Sequence, residues 1–195
     1  MTTPRKRLLW ICFALVVALQ LGTASWLILR WERILTAGEV IKLECQPVDP
    51  LDVFRGRYVE LNVKRQEVPG PTDNPLRYHE TVFASYEVGP DQFATFTGLS
   101  RTRPEKGSYL KCRASNGHRS YGEMMYFPEF PFTRYFMNER LAPHAEDAFL
   151  QVGGSRPGVL QIRVLNGRAV LEEVYVGDTP LKDLAREMLE AERDV

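Results

Sequence analysis

After seven residues, three of them basic, the chain enters a stretch from which charge is absent. Leu8 to Leu29 reads LLWICFALVVALQLGTASWLIL, with no ionisable acid or base in it. At a helical rise of about 1.5 Å per residue this is about 33 Å of helix, enough to cross a hydrocarbon core about 30 Å thick. A helix satisfies its own backbone hydrogen bonds, so an uninterrupted apolar run of this length favours spanning. Trp10, Trp26 and Trp31 stand near its two ends, where indole prefers the interface. Residues 30–37 read as a juxtamembrane continuation of the helix, with Gly38 as its stop.

Beyond Gly38 the hydrophobic period changes from helical to two. Val40–Cys45 alternates, and Val59, Leu61 and Val63 alternate with Tyr58, Glu60 and Asn62, the pattern of half-buried strands. Val68 to Pro75 is a cluster of breakers and reads as a loop. Val82, Ala84, Tyr86 and Val88 alternate again, and Phe93–Leu99 with Ser108–Ala114 is expected to form a hairpin around residues 103–107. Gly122–Phe127 is a further apolar-aromatic strand, and Leu141–Val152 a short helix with Pro143 in its first turn. Two β-rich runs within Val159–Val176 flank Asn166-Gly167, which supplies the positive φ angles of a type I′ turn. Finally Leu181, Leu184, Ala185, Met188 and Leu189 make one apolar stripe on a helix begun near Thr179-Pro180. The expected fold is a transmembrane helix followed by a mainly antiparallel β domain of α+β class over residues 38–195. It carries a short internal helix and a C-terminal amphipathic one.

Charge then bears on orientation. Arg5, Lys6 and Arg7 precede the apolar run, while Arg30 and Arg33 follow it. The bias places residues 1–7 in the cytoplasm and the domain outside, in a bacterial envelope the periplasm. The whole chain has equal numbers of basic and acidic residues, so with those first three set aside the acids exceed the bases by three. That mildly acidic balance gives no electrostatic reason to expect nucleic acid. Gly22-Thr23-Ala24 has the spacing of a signal-peptidase site, but the apolar run continues through Trp26–Leu29, which favours an uncleaved anchor. Cys12 falls in the span. Cys45 and Cys112 fall in the domain, where an oxidising compartment would permit a disulfide, the other reading being two separate buried thiols.

No reactive constellation emerges. His79, His118 and His144 stand without metal-ligand spacing, and no metal or cofactor is expected. A signal-peptidase-like protease would need a serine where Pro47 stands, three residues before Pro50, and proline has no side chain able to attack. The concentration of Tyr121, Met124, Met125, Tyr126, Phe127, Phe130 and Phe132 suits a core, or in part a contact surface.

Gly38–Leu43, then Gln46-Pro47-Val48-Asp49-Pro50, then Phe54-Arg55-Gly56-Arg57-Tyr58-Val59-Glu60-Leu61 resembles the GDYXXLXY family, bacterial membrane-anchored proteins of uncharacterised function. Arg134-Tyr135-Phe136 looks like its second landmark and Leu165–Val170 like its last hairpin. Gly56, Tyr58 and Leu61 keep the motif, whereas its Asp is Arg57 here and its final Tyr is Val63. Chemistry resting on that Asp is therefore closed to this chain.

The expected function is a membrane-tethered, non-enzymatic accessory or assembly module that binds another envelope protein. The resemblance implies a multi-span partner. Contact is expected through Tyr58, Tyr126, Phe127, Arg134 and Tyr135. The alternative is an anion- or peptide-binding domain, enzymatic or not, in which Arg55, Arg57 and Tyr58 meet a carboxylate or headgroup.

Overall fold

A computed structural model describes residues 4–47, 58–153 and 158–193. Helix α1, Pro4–Ala37, covers the charge-free run and continues unbroken through the juxtamembrane residues. Pro4 occupies its first position, where a missing N–H costs no helical hydrogen bond. Gly38 closes it, donating its N–H to Ile34 O at 2.9 Å. A Cβ at Gly38 would lie 2.4 Å from that same oxygen and 3.1 Å from Arg163 Cβ, so only glycine lets the helix end settle on the domain. Ile34 is 3% exposed, whereas most of the apolar side chains between Leu8 and Leu29 are exposed.

Thirteen strands and two helices are described after α1. They are β1 Glu39–Pro47, β2 Tyr58–Val63, β3 Val68–Gly70, β4 Thr81–Val88, β5 Ala94–Ser100, β6 Ser108–Ala114, β7 His118–Ser120, β8 Glu123–Tyr126, β9 Pro128–Glu129, β10 Arg134–Phe136, α2 Ala142–Gly153, β11 Gly158–Leu165, β12 Arg168–Val176, β13 Thr179–Pro180 and α3 Leu181–Arg193. All pairings between these strands are antiparallel, in sheets ordered β10-β2-β1-β11-β12-β13, β5-β4-β6-β9 and β3-β8-β7. The α+β class expected from the pattern is the observed one.

In the six-stranded sheet the alternation does its expected work. Ile41 pairs with Ile162, Leu43 with Leu160 and Cys45 with Gly158, and all are buried. Directly opposed residues share a face, so these form one apolar surface. Val59, Leu61, Val174 and Val176 extend that face. Helix α2 lies against it, with Phe149 seated where a Cβ at Gly158 would intrude to 2.6 Å. The β11–β12 turn has φ of 51 at Asn166 and 74 at Gly167, in degrees, as a type I′ turn demands. Helix α3 buries Leu181 and Ala185 of its stripe.

Two local expectations give way. The segment 68–75 is not all loop, because Val68–Gly70 pairs with Met124–Tyr126 as β3. Nor do β5 and β6 form a hairpin. Each pairs with β4, which lies between them, Ala84 facing Leu99 on one side and Leu110 on the other. Breaker composition and nearness in sequence both describe the connection, and the long-range pairing overrides them. Single hydrogen bonds join the sheets, Lys42 N–H to Gln92 O and Lys111 N–H to Gly167 O, both at 2.8 Å. Their buried side chains form one continuous core.

Candidate functional site

The strand alternation sorts the expected contact residues onto different faces. β10 pairs with β2, and among the described residues it is the outer strand of its sheet. Tyr135 lies opposite Val59, a core residue, and so points inward. Arg134 and Phe136 then point outward, Phe136 opposite Tyr58. The outward group is a stack. The Arg134 guanidinium lies 4.8 Å from the Tyr58 ring centroid, within cation–π reach. The Tyr58 and Phe136 ring centroids are 5.7 Å apart. Phe136 is 69% exposed, and it is the grouping of Phe136 with Tyr58 and Arg134 at a sheet edge, rather than one open ring, that is informative.

On the inner side Tyr135 donates its hydroxyl hydrogen to Glu173 Oε1, and Lys182 at the start of α3 donates to Glu173 Oε2. A register shift in the β11–β12 ladder between Gln161 and Ile162 makes this possible. Adjacent residues thereby serve opposite sides. Glu172 accepts from Gln161 at 3.0 Å and Arg163 at 2.9 Å on the outer face, while Glu173 turns to Tyr135. Glu173 is 7% exposed, so its charge depends on those two donors and on the Val174 N–H, which donates to Oε1 at 3.3 Å. Burial first, then the bond to Glu173, raises the Tyr135 phenol's pKa. The same carboxylate raises that of the Lys182 ammonium. The cluster holds a proton on Tyr135 firmly and locks β10, β12 and α3 together.

Other candidates fall elsewhere. Tyr126 is completely buried, its hydroxyl accepting the Leu76 N–H at 2.9 Å, which leaves no surface for a partner. Phe127 is half-buried between His118, 5.8 Å between ring centroids, and the Arg65 guanidinium at 5.7 Å. Arg55 and Arg57, together with Gly56, lie outside the described residues. Cys45 and Cys112 are free thiols, both buried, and burial pushes each up to about 12. His79, His118 and His144 each meet a carboxylate, of Glu129, Glu67 and Glu192 respectively. Among the described residues no three His, Cys, Asp or Glu side chains converge as a metal site would require.

The residues that the sequence did not single out are Glu173 and Lys182. Two adjacent acids in a strand, Glu172-Glu173, are a faint signal of a bulge, since strict alternation would bury one of them. Nothing local connects them to Tyr135.

No curated protein and no solved structure matches the chain. The model of the family described as GDYXXLXY protein matches residues 20–174, from the second half of the apolar helix to the end of the buried run in β12. The match takes in the strand of Tyr58, the Arg134-Tyr135-Phe136 edge and the Asn166-Gly167 turn together, and the chain belongs to the GDYXXLXY family.

Proposed function

We propose that this protein is a membrane-tethered accessory module whose domain binds another envelope protein through the Arg134–Tyr58–Phe136 face. The anchor reading draws support from α1. The helix meets the length and hydropathy of a span, and its last turns are built into the domain through Ile34 and Gly38. A domain seated on its own apolar helix favours a retained anchor over a removable leader. In this reading residues 8–29 lie in the inner membrane, the N-terminus is cytoplasmic and the domain periplasmic.

The observation that carries the partner reading is the exposed cation–aromatic stack on the outer strand. Tyr, Phe and Arg are residue types enriched at protein interfaces, and rigid aromatic anchors supply much of the affinity there. Edge backbone beside the stack offers a partner strand hydrogen-bonding groups as well.

Crosslinking in native membranes followed by mass spectrometry tests this. The natural chain should capture one recurrent protein neighbour, and Phe136→Ala should weaken that association by about 2 kcal/mol, roughly thirtyfold. Native protein that stays monomeric in mild detergent, with no crosslinked neighbour, sinks the proposal.

A further inference from the structure

Where α1 meets the domain, four arginines from three parts of the chain line one cavity of about 550 Å³. Arg30 and Arg33 come from the last turns of α1, Arg103 from the β5–β6 connection, and Arg168 from the first position of β12, beside the Asn166-Gly167 turn. No carboxylate lines this cavity, and none of the four arginines is ion-paired among the described residues. Arg30 stacks over Trp26 at 5.1 Å, and Arg103 over Tyr109 at 5.1 Å. Cations in the last turn of a helix are favourable by themselves, but α1 has no basic residue in its last turn, so its dipole explains neither Arg30 nor Arg33. Nor does it account for Arg103 and Arg168, brought there by the fold from residues far apart in sequence.

A second observation points the same way. Arg103 and Asn166 also line an adjoining cavity of about 590 Å³ that contains Tyr109. The carboxylates lining that neighbour are Glu39, already bonded to Tyr86 and Ser108, and Glu105 of the β5–β6 connection. Tyr109 is 8% exposed, and its buried hydroxyl has no hydrogen-bond partner among the described residues. A buried orphan hydroxyl beside the Arg103 guanidinium, which has no ion pair among the described residues, is an arrangement short of an acceptor oxygen. Trp26 marks the depth, since indole at the end of an apolar helix sits at headgroup level.

We propose that this juxtamembrane cavity binds the phosphate of an anionic phospholipid headgroup, such as that of phosphatidylglycerol. The proposal rests on the anchor reading, which puts Trp26 through Arg33 at the bilayer surface. Planar guanidinium forks match phosphate oxygens two at a time. The bound lipid fixes the domain against the bilayer, holding the Asn166-Gly167 turn toward the headgroups.

The test uses the full chain in phosphatidylcholine nanodiscs containing equal amounts of phosphatidylglycerol, with retained lipid counted by native mass spectrometry. One phosphatidylglycerol should be retained in preference to phosphatidylcholine. R103E/R168E should reduce that preference by roughly fivefold or more per arginine. Both side chains are exposed, so the fold should tolerate the exchange, and R103Q/R168Q gives the same reading without reversed charge. Equal retention of the two lipids overturns the proposal. So does a preference that survives R103E/R168E but vanishes in R5E/K6E/R7E, and so does displacement of the lipid by millimolar inorganic phosphate, which marks a site for the free ion. A chain released by carbonate with its N-terminus at Ser25 sinks both this site and the anchor reading. One that stays in the bilayer without preference sinks the site alone.

Discussion

Tyr135 and Glu173 are hydrogen-bonded although β2, β1 and β11 lie between their strands in the sheet. A flat sheet would hold those strands four inter-strand spacings apart, about 20 Å. The bond therefore requires the sheet to curl until its outer strand approaches β12. Replacing Tyr135 by phenylalanine should cost about 1 kcal/mol at pH 7, by leaving Glu173 one donor short. A urea midpoint unchanged from the natural chain would remove Tyr135 from the list of supports.

The same cluster sets an alkaline limit. Tyr135 and Lys182 both have pKa values raised in the folded state, so the native form holds protons that the unfolded chain releases. Their contribution is full below about pH 10, the unfolded range, and is lost as pH rises through the folded values. Denaturation midpoints should hold from pH 8 to about 10 and then fall towards pH 11.5, steeply in the natural chain and less steeply in Y135F. Parallel curves would contradict the linkage.

At the acid end the governing pair is Glu80 and Arg101. Arg101 Nε lies 2.6 Å from Glu80 Oε1 and Nη2 3.1 Å from Oε2, while the same guanidinium donates to Asn74 O and Pro75 O. That hydrogen bonding, with the Arg77 N–H behind it, holds the Glu80 carboxyl below its usual range. Its stabilisation is complete above the ordinary carboxylate value of 4.5 and disappears as pH falls through the lowered folded value. Glu80→Gln should flatten stability between pH 5 and 2, and loosen the 73–80 connection in hydrogen exchange. An unaltered acid profile is the outcome that refutes this.

Tyr126→Phe removes one buried hydroxyl, which accepts from the Leu76 N–H at 2.9 Å and donates to Pro71 O at 3.4 Å. The variant keeps the ring and strips the acceptor from the Leu76 N–H, a buried donor. Leaving such a group unsatisfied should cost about 1–3 kcal/mol. Thermal melts check it. A loss too small to resolve would show that Leu76 finds another acceptor.

Cys45 and Cys112 should resist alkylation in the folded protein. Each thiol is buried and pushed up to about 12, so the reactive thiolate is scarce and shielded at pH 8. Mass spectrometry after iodoacetamide should find both unlabelled until denaturant is added. Rapid native labelling of either would show its strand opening far more readily than its burial suggests.

Local pattern carried most of the elements. The alternation in β2, the Asn166-Gly167 turn and the stripe of α3 depend on neighbours in sequence, and these were legible. Strand order was not, because β4 sits between β5 and β6 through pairings that no local feature encodes. The site divided in the same way. Arg134, Tyr135 and Tyr58 stood out as residue types, yet only the register of β10 on β2 reveals that Tyr135 faces inward while its neighbours face out. Tyr126 looked like its exposed counterparts because an aromatic ring reads alike in a core and on a surface. Glu173 and Lys182 were invisible for want of their partner, which comes from another strand.

The unbroken passage from α1 into the domain, with only Gly38 between helix and strand, leaves no slack tether. With that helix in a bilayer, the globular part cannot swing out to sample distant molecules. On the anchor reading proposed above it would travel as a post beside the membrane, and its encounters would be confined to whatever drifts alongside in the plane of the lipid.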